Sequence, residues 1–191
     1  MNLKTAFLTF AVVIVASQSE AADISSVVQL GEIALAGSAC TQVGSGKITQ
    51  VQAGVYDIPL TLAVAKDINS SLARGTCAFA LPLQVAKGYR LVISEVGAKA
   101  SLNLRVGSKS RLDIEVFRAG AVNKPLTGVH DASLKQIVGS YRLSRTGVVV
   151  RTACGEAINL RGNASALLQG AAKAQLSLDA LRIRMRIEKC N

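Results

Sequence analysis

The stretch Leu181–Ile187, LRIRMRI, alternates strictly between apolar and basic side chains. A period of two is the pattern of a β-strand with one face buried and the other in solvent. Shorter alternations occur at Leu102–Val106, Arg111–Val116 and Ser140–Ser144. Short strands punctuated by Gly, Ser, Asn and Lys are typical of antiparallel sandwiches and barrels. The sequence therefore predicts an all-β protein, an antiparallel sandwich or barrel.

Three segments interrupt this strand pattern. Lys87-Gly88, between the apolar runs Ala78–Val85 and Tyr89–Val96, predicts a tight hairpin connection. Residues 119–138 are irregular and predict a long connection. The alanine content of Ala164–Ala174 favours a helix, although the glycine within it disfavours one. No long linker divides the chain, so we expect one domain.

The N-terminus has the order of a secretory signal peptide. Lys4 precedes the apolar run Ala6–Ala16, and a polar stretch with small residues at Ser19 and Ala21 follows. The apolar run is shorter than the roughly 20 residues that a membrane-spanning helix needs. We therefore predict that residues 1–21 are a signal peptide and that residues 22–191 form a single secreted all-β domain. The destination is extracellular, or periplasmic in a Gram-negative host, and no transmembrane segment is expected in the mature chain.

The mature chain is strongly basic. The full chain has 22 Lys and Arg residues against 12 Asp and Glu, a net charge of +10. The predicted signal peptide contains one base and one acid, so its removal leaves the charge unchanged. An excess of this size favours partners such as anionic polysaccharide, lipopolysaccharide or another cell-surface polymer. We do not expect nucleic acid as a partner, because the protein is predicted to be exported. The alternative explanation of the positive charge is that it only keeps the protein soluble.

All four cysteines lie in the mature chain: Cys40, Cys77, Cys154 and Cys190. An even number in an exported chain predicts two disulfides, for which counting leaves three possible pairings. Zinc is the alternative, but no pair has C-x-x-C spacing and His130 is the only histidine. We therefore predict no metal site and no cofactor.

The order of short motifs around the cysteines resembles a known family. These motifs are Gly37–Cys40, Cys77–Leu83, Cys154-Gly155, Leu181–Ile183 and the final Cys190. Together they resemble the domain-of-unknown-function family forty-three sixty, small secreted four-cysteine proteins of fungi and some bacteria. The resemblance implies the pairs Cys40–Cys77 and Cys154–Cys190. It also implies that residues 22–191 form a single antiparallel β-sandwich domain of jelly-roll-like type. It brings no catalytic residues, and this chain lacks the tryptophans that many members carry.

No catalytic constellation is visible in the sequence. His130-Asp131 lies in the irregular segment, without a G-x-S-x-G nucleophile motif anywhere in the chain. Asp113 and Glu115 share a strand face with Arg111, which is typical of a charge-balanced solvent face rather than a catalytic pair. We predict no catalytic residues and a protein that is not an enzyme.

The one patterned functional candidate is the set of three basic residues Arg182, Arg184 and Arg186, called here the arginine ladder. Period two places the three guanidinium groups on one strand face, where they could bind phosphate or carboxylate. Glu188 would partly cap the row. Further arginines would extend it if their strands were neighbours: Arg105, Arg142 and Arg151. The alternative interpretation is a solvated face that protects a sheet edge from aggregation.

The predicted function is non-enzymatic binding, or surface interaction, with anionic envelope or extracellular polymers. One alternative is a structural component of a matrix or envelope that self-associates through strand edges. The other is a secreted hydrolase whose site is assembled from distant loops. The sequence does not predict the oligomeric state.

Overall fold

The computed structural model describes residues 24–41 and 47–191, and the predicted signal peptide with its cleavage site lies outside them. Two antiparallel sheets pack face to face, which confirms the predicted β-sandwich. The helix α1 is a single turn, Ile24–Val27. Within the described part of the chain, no helix has the length and apolar character needed to span a membrane.

The first sheet has six strands. They are β1 (Val28–Leu30), β2 (Ala34–Ala36), β7 (Leu72–Val85), β9 (Ser108–Arg118), β10 (Leu126–Asp131) and β12 (Ala157–Gly170). The order across the sheet is β1, β7, β12, β9, β10, and β2 also pairs with β7. Every pairing is antiparallel.

Among the described residues, seven strands form the second sheet. They are β3 (Cys40–Thr41), β4 (Thr49–Gln52), β5 (Val55–Ile58), β6 (Thr61–Lys66), β8 (Tyr89–Leu104), β11 (Ile137–Arg151) and β13 (Ala174–Lys189). Strand β13 lies at the centre, with β8 and then β11 on one side. On its other side β13 pairs with β5 and β6 in succession, and these pair with β4 and β3. The stretch that indicated a strand in the sequence is therefore the middle of this sheet.

The core lies between the sheets and follows the alternation in the sequence. Leu181 and Ile183 of β13 are fully buried, and so are Leu160 and Leu168 of β12 in the opposite sheet. Burial of a leucine or isoleucine side chain contributes about 1.5–3 kcal/mol each. The intervening residues of each strand face outward, so both sheets present an outer face to solvent.

Two disulfides confirm the pairing that the family resemblance implied. Cys40–Cys77 joins β3 of the seven-stranded sheet to β7 of the six-stranded sheet, with the Cα atoms 4.8 Å apart. Cys154–Cys190 joins the loop after β11 to the residue after β13, at 6.2 Å. One bridge therefore links the two sheets, and the other fixes the C-terminal end of β13.

Two predictions about local structure are wrong. The alanine-rich segment Ala164–Ala174 is not helical, because β12 continues to Gly170 and β13 begins at Ala174. Ala164 and Ala166 are fully buried inside the sandwich, and packing there overrides helix propensity. Residues 119–138 are not all connection either, since they contain β10.

The prediction at Lys87-Gly88 is half right. A turn is present, closed by the hydrogen bond from Tyr89 N to Ala86 O at 3.2 Å. However, β7 and β8 belong to different sheets, so the turn is an arch across the sandwich and not a hairpin. A tight turn specifies a reversal of the chain, but it does not specify which edge the second strand pairs with.

Candidate functional site

The arginine ladder lies on the outer face of the seven-stranded sheet. Arg182, Arg184 and Arg186 project from β13, each with about half of its side chain exposed (52%, 51% and 54%). The alternation of the sequence therefore placed the three guanidinium groups on one face correctly. Because β13 is a central strand, the ladder does not protect a sheet edge.

Each arginine of the ladder contacts a carboxylate. Arg182 binds Asp57 of β5 through two bonds, Nε to Oδ1 at 2.6 Å and Nη2 to Oδ2 at 3.0 Å. This hydrogen bond raises the pKa of Arg182 above its ordinary value, so the group stays charged. Arg184 Nε donates to Glu95 Oε2 at 2.9 Å.

Glu188 closes the end of the ladder, as the sequence suggested. Its carboxylate binds Arg186 at 3.0 Å and Arg90 at 3.0 Å, and Arg151 lies 3.6 Å away. Half-exposed pairs of this kind contribute little to stability, about 0–1 kcal/mol. Their consequence here is electrostatic, because the carboxylates neutralise much of the ladder's positive charge.

Two cations without carboxylate partners among the described residues lie beside the ladder. Lys99 of β8 and Arg142 of β11 are directly opposite each other in the strand register, on the same outer face. Both are exposed, and within residues 24–41 and 47–191 neither has a salt bridge or side-chain hydrogen bond. The sequence named Arg142 as a possible extension of the ladder, but it gave no signal for Lys99.

A shallow depression of about 300 Å³ lies next to this pair. It is floored by small residues, among them Gly97 and Ala180, and Lys99, Arg142 and Arg182 line it. Small side chains on two neighbouring strands leave the floor low, while the long cationic side chains stand around it. The arrangement offers guanidinium and ammonium donors to an anion that lies on the sheet.

A second depression continues along the same two strands. Its volume is about 370 Å³, and its polar lining comes from Ser101 and Asn103 of β8 and from Gln175 and Ser177 of β13. Alanines of β6 form its remaining wall. This part of the face offers hydroxyl and amide groups, which both donate and accept hydrogen bonds.

A third depression of about 200 Å³ shares Asn103 and Gln175 with the second. Arg105 and Lys173 line its far end, together with Asp67. Arg105 was another of the three arginines that the sequence proposed as extensions, and it lies at the opposite end of the face from the ladder. The three depressions together are called the outer groove.

A row of hydrogen-bonded side chains crosses the middle of the outer groove. Ser140 Oγ and Ser101 Oγ are 3.3 Å apart, and Ser101 in turn donates to Asp179 Oδ2. Ser177 Oγ donates to Asp179 Oδ1 at 2.6 Å. The register of β13 shifts between Leu178 and Ala180, so Asp179 is the extra residue of a β-bulge. Ser177 and Asp179 share the outer face by alternation, and the bulge changes the phase of β13 so that Arg182 also faces outward.

His130 and Asp131 point to opposite sides of β10. The imidazole of His130 faces inward against Tyr141, with ring centroids 4.3 Å apart, and burial lowers the pKa of His130. Asp131 faces outward, where Lys109 and Ser133 bind it and hold its pKa at about 2. The two side chains therefore do not form an acid/base pair.

Asp113 lies on the outer face of the six-stranded sheet. It accepts hydrogen bonds from Arg111 Nε at 2.7 Å and from Thr127 Oγ1 at 2.6 Å. Burial alone would raise the pKa of Asp113, but these hydrogen bonds and the charge of Arg111 outweigh it, so the pKa lies below its usual value. A general acid for glycoside hydrolysis requires the opposite shift.

We expect Tyr141 to make the protein's stability depend on alkaline pH. Burial, with a smaller effect from the charge of Asp179, raises the pKa of Tyr141 from 10.0 to about 12. The folded state therefore holds this proton more tightly, and stability is lost as the pH rises from about 10 to about 12. Urea unfolding at about pH 9 and about pH 11 should show a larger loss for the wild type than for Tyr141→Phe. Tyr89→Phe is the matched control, and an equal loss in both variants would contradict the expectation.

Comparisons with known proteins do not place the chain in a family. No protein family matches it, and no curated protein matches it. A family 61 carbohydrate-binding module in complex with β-1,4-galactotriose is 9% identical with a TM-score of 0.28, covering 88% of this chain and 94% of that one. The adhesin domain of Epf from Streptococcus pyogenes is 10% identical with a TM-score of 0.25, covering 72% and 47%.

A third solved structure is similarly distant. The family 11 carbohydrate-binding module from Clostridium thermocellum, in complex with a mixed-linked tetrasaccharide, is 8% identical with a TM-score of 0.22. The alignment covers 82% of this chain and 86% of that one. Likeness at this level defines neither a shared function nor a shared fold.

Proposed function

We propose that this protein is an exported, non-enzymatic binding domain that holds an anionic polysaccharide of the cell envelope or surface in the outer groove. The proposal depends chiefly on one observation. Lys99 and Arg142 stand side by side, exposed and without carboxylate partners among the described residues, at a depression that Arg182 also lines. Two adjacent cations without partners favour an anionic ligand, because binding it does not require breaking an existing salt bridge.

The shape of the outer groove supports a polymer as the ligand. The depressions are open and lie in sequence along β8 and β13, so a chain could occupy them together. Their linings are cationic, amide and hydroxyl groups, which hold a ligand by hydrogen bonding. Export is supported by the predicted signal peptide and by two disulfides, which form in oxidising compartments.

Binding to acidic polysaccharide should therefore weaken with salt. Purified protein would be titrated with lipopolysaccharide, with an acidic glycan and with a neutral glycan at about 50 mM and about 500 mM salt. We expect affinity for the acidic ligands to fall about tenfold or more across this range, since exposed charges are screened. The proposal would be contradicted if the neutral glycan bound as tightly as the acidic ligands, or if their affinity did not change with salt concentration.

A second candidate function is self-association through β11. This strand of 15 residues is the outermost of its sheet among the described strands, and Val138 and Val148 on it are exposed (64% and 57%). A long free edge is a template for pairing with another chain. Sedimentation at rising concentration separates the two functions, and a persistent monomer would count against this one.

A further inference from the structure

We infer that the ligand of the outer groove is a linear glycan with widely spaced acidic groups, bound along β8 and β13 with neutral, hydroxyl-bearing sugars at its centre. This inference rests on the proposed function and specifies its ligand class. It separates sparsely charged polysaccharides from densely sulfated or phosphorylated ones.

The direction of the ligand follows from the positions of the depressions. Along β8 the groove passes from Gly97 and Lys99 through Ser101 and Asn103 to Arg105. Nine residues of extended strand span roughly 26 Å between the first and last Cα atoms. A ligand in contact with both ends is therefore a chain of several sugars that lies parallel to the strands.

The distribution of charge along the groove is uneven. Cations outnumber carboxylates at both ends. Lys99, Arg142 and Arg182 line the first depression with Glu95, and Arg105 and Lys173 line the third with Asp67. The stretch between them carries the exposed carboxylate of Asp179. A polymer with a negative group on every sugar would bring an anion against this carboxylate.

The hydrogen-bonding character of the centre favours hydroxyl groups. An ionised carboxylate only accepts hydrogen bonds, so the acceptor sites of Asp179 that Ser101 and Ser177 leave free suit a donor from the ligand. A sugar hydroxyl donates, whereas sulfate, phosphate and carboxylate groups do not. Asn103 and Gln175, farther along the groove, both donate and accept, which suits hydroxyls as well.

The second depression, at the centre of the outer groove, is large enough to hold a sugar ring against the sheet. Ala63 and Ala65 form one wall of the depression of about 370 Å³, and their methyl groups leave the floor open. Both alanines are exposed and project from β6 on the outer face. The wall residue Ala63 is therefore a position at which a large side chain would fill the groove without entering the core.

Asp179→Asn tests the inference through the sign of its effect. The two probes are oligosaccharides of gellan, whose uronic acid is separated from the next by neutral sugars, and oligosaccharides of heparin, which are densely sulfated. We expect the substitution to weaken gellan binding roughly five- to tenfold, since a hydrogen bond to a charged group is replaced by one to a neutral amide. The same substitution should leave heparin binding unchanged or strengthen it, because a repulsive charge is removed.

The controls separate this inference from the proposed function. Asp113→Asn removes one carboxylate from the outer face of the other sheet and should change neither affinity. Ala63→Trp should abolish gellan binding, whereas Ala157→Trp, on the opposite face, should not. Gellan binding that Asp179→Asn strengthens or leaves unchanged would overturn the inference. If Lys99→Gln/Arg142→Gln still weakened binding in that case, the proposed function would stand.

Discussion

Replacing Cys40 and Cys77 together by alanine should lower the free energy of unfolding by about 4 kcal/mol. The bridge closes a loop with a sequence separation of 37 and joins the two sheets of the sandwich. Without it, the unfolded chain gains conformational freedom that the native bridge denies it. A loss of this size is a large part of the roughly 5–15 kcal/mol that stabilises a typical domain.

Urea unfolding of the double variant and of the wild type would measure the loss. The variant Cys154→Ala/Cys190→Ala is a matched comparison, because its bridge has nearly the same sequence separation, 36. Loop entropy alone predicts equal losses for the two variants. The loss should be somewhat larger at Cys40–Cys77, because Cys77 is buried and its sulfur packs in the core. A loss below about 1 kcal/mol at both bridges would contradict the account.

Replacing Lys99 and Arg142 together by glutamine should reduce affinity for the acidic glycan about 10- to 30-fold. The estimate takes about 0.7–1 kcal/mol for each exposed cation, near the upper end of the range for exposed ion pairs. The loss should shrink at high salt, because screening removes the same interaction from the wild type. Isothermal titration at two salt concentrations would measure both effects.

The control for this variant carries the same change in net charge. Arg74 of β7 and Arg161 of β12 are exposed on the outer face of the six-stranded sheet, also without a salt bridge among the described residues. If the ligand interacts mainly with the cations of the outer groove, Arg74→Gln/Arg161→Gln should change affinity less than about threefold. Equal losses in the two double variants would mean that the protein attracts anions through its net charge alone.

Anion binding by the arginine ladder itself remains a prediction. Arg182 lines the first depression and is its best-placed member, although Asp57 already occupies its guanidinium group. Neutralising all three arginines would release the carboxylates that they bind. The effect on affinity would then combine lost cations with newly exposed acids, so the variant is less informative than the Lys99 and Arg142 pair.

The sequence predicted the fold class because alternation depends on local pattern alone. Leu181–Ile187 is apolar on one face over seven residues. A shift of strand pairing by one residue would turn that apolar face to solvent, so the pattern specifies the pairing register. The outcome at Ala164–Ala174 differed because alanine is compatible with both helix and strand, and tertiary packing decided between them. Gly97 lies inside β8, where its missing side chain deepens the groove.

The site could be predicted only in part. The face of the ladder and the position of Glu188 follow from a period of two, but the carboxylate partners of Arg182 and Arg184 lie 125 and 89 residues away in sequence. Strand order decides these contacts, and no local pattern encodes it. The same is true of Lys99, which became a candidate only because β8 lies between β11 and β13.

The most direct test of the central claim is to map the binding surface by NMR. Amide chemical shifts of isotopically labelled protein would be followed while gellan oligosaccharide is added to saturation. The account predicts shifts on the outer groove, at Lys99–Asn103 of β8, Ser140–Arg142 of β11 and Gln175–Arg182 of β13. Shifts confined to the six-stranded sheet around Arg74 and Arg161, or no shifts with any acidic glycan, would contradict it.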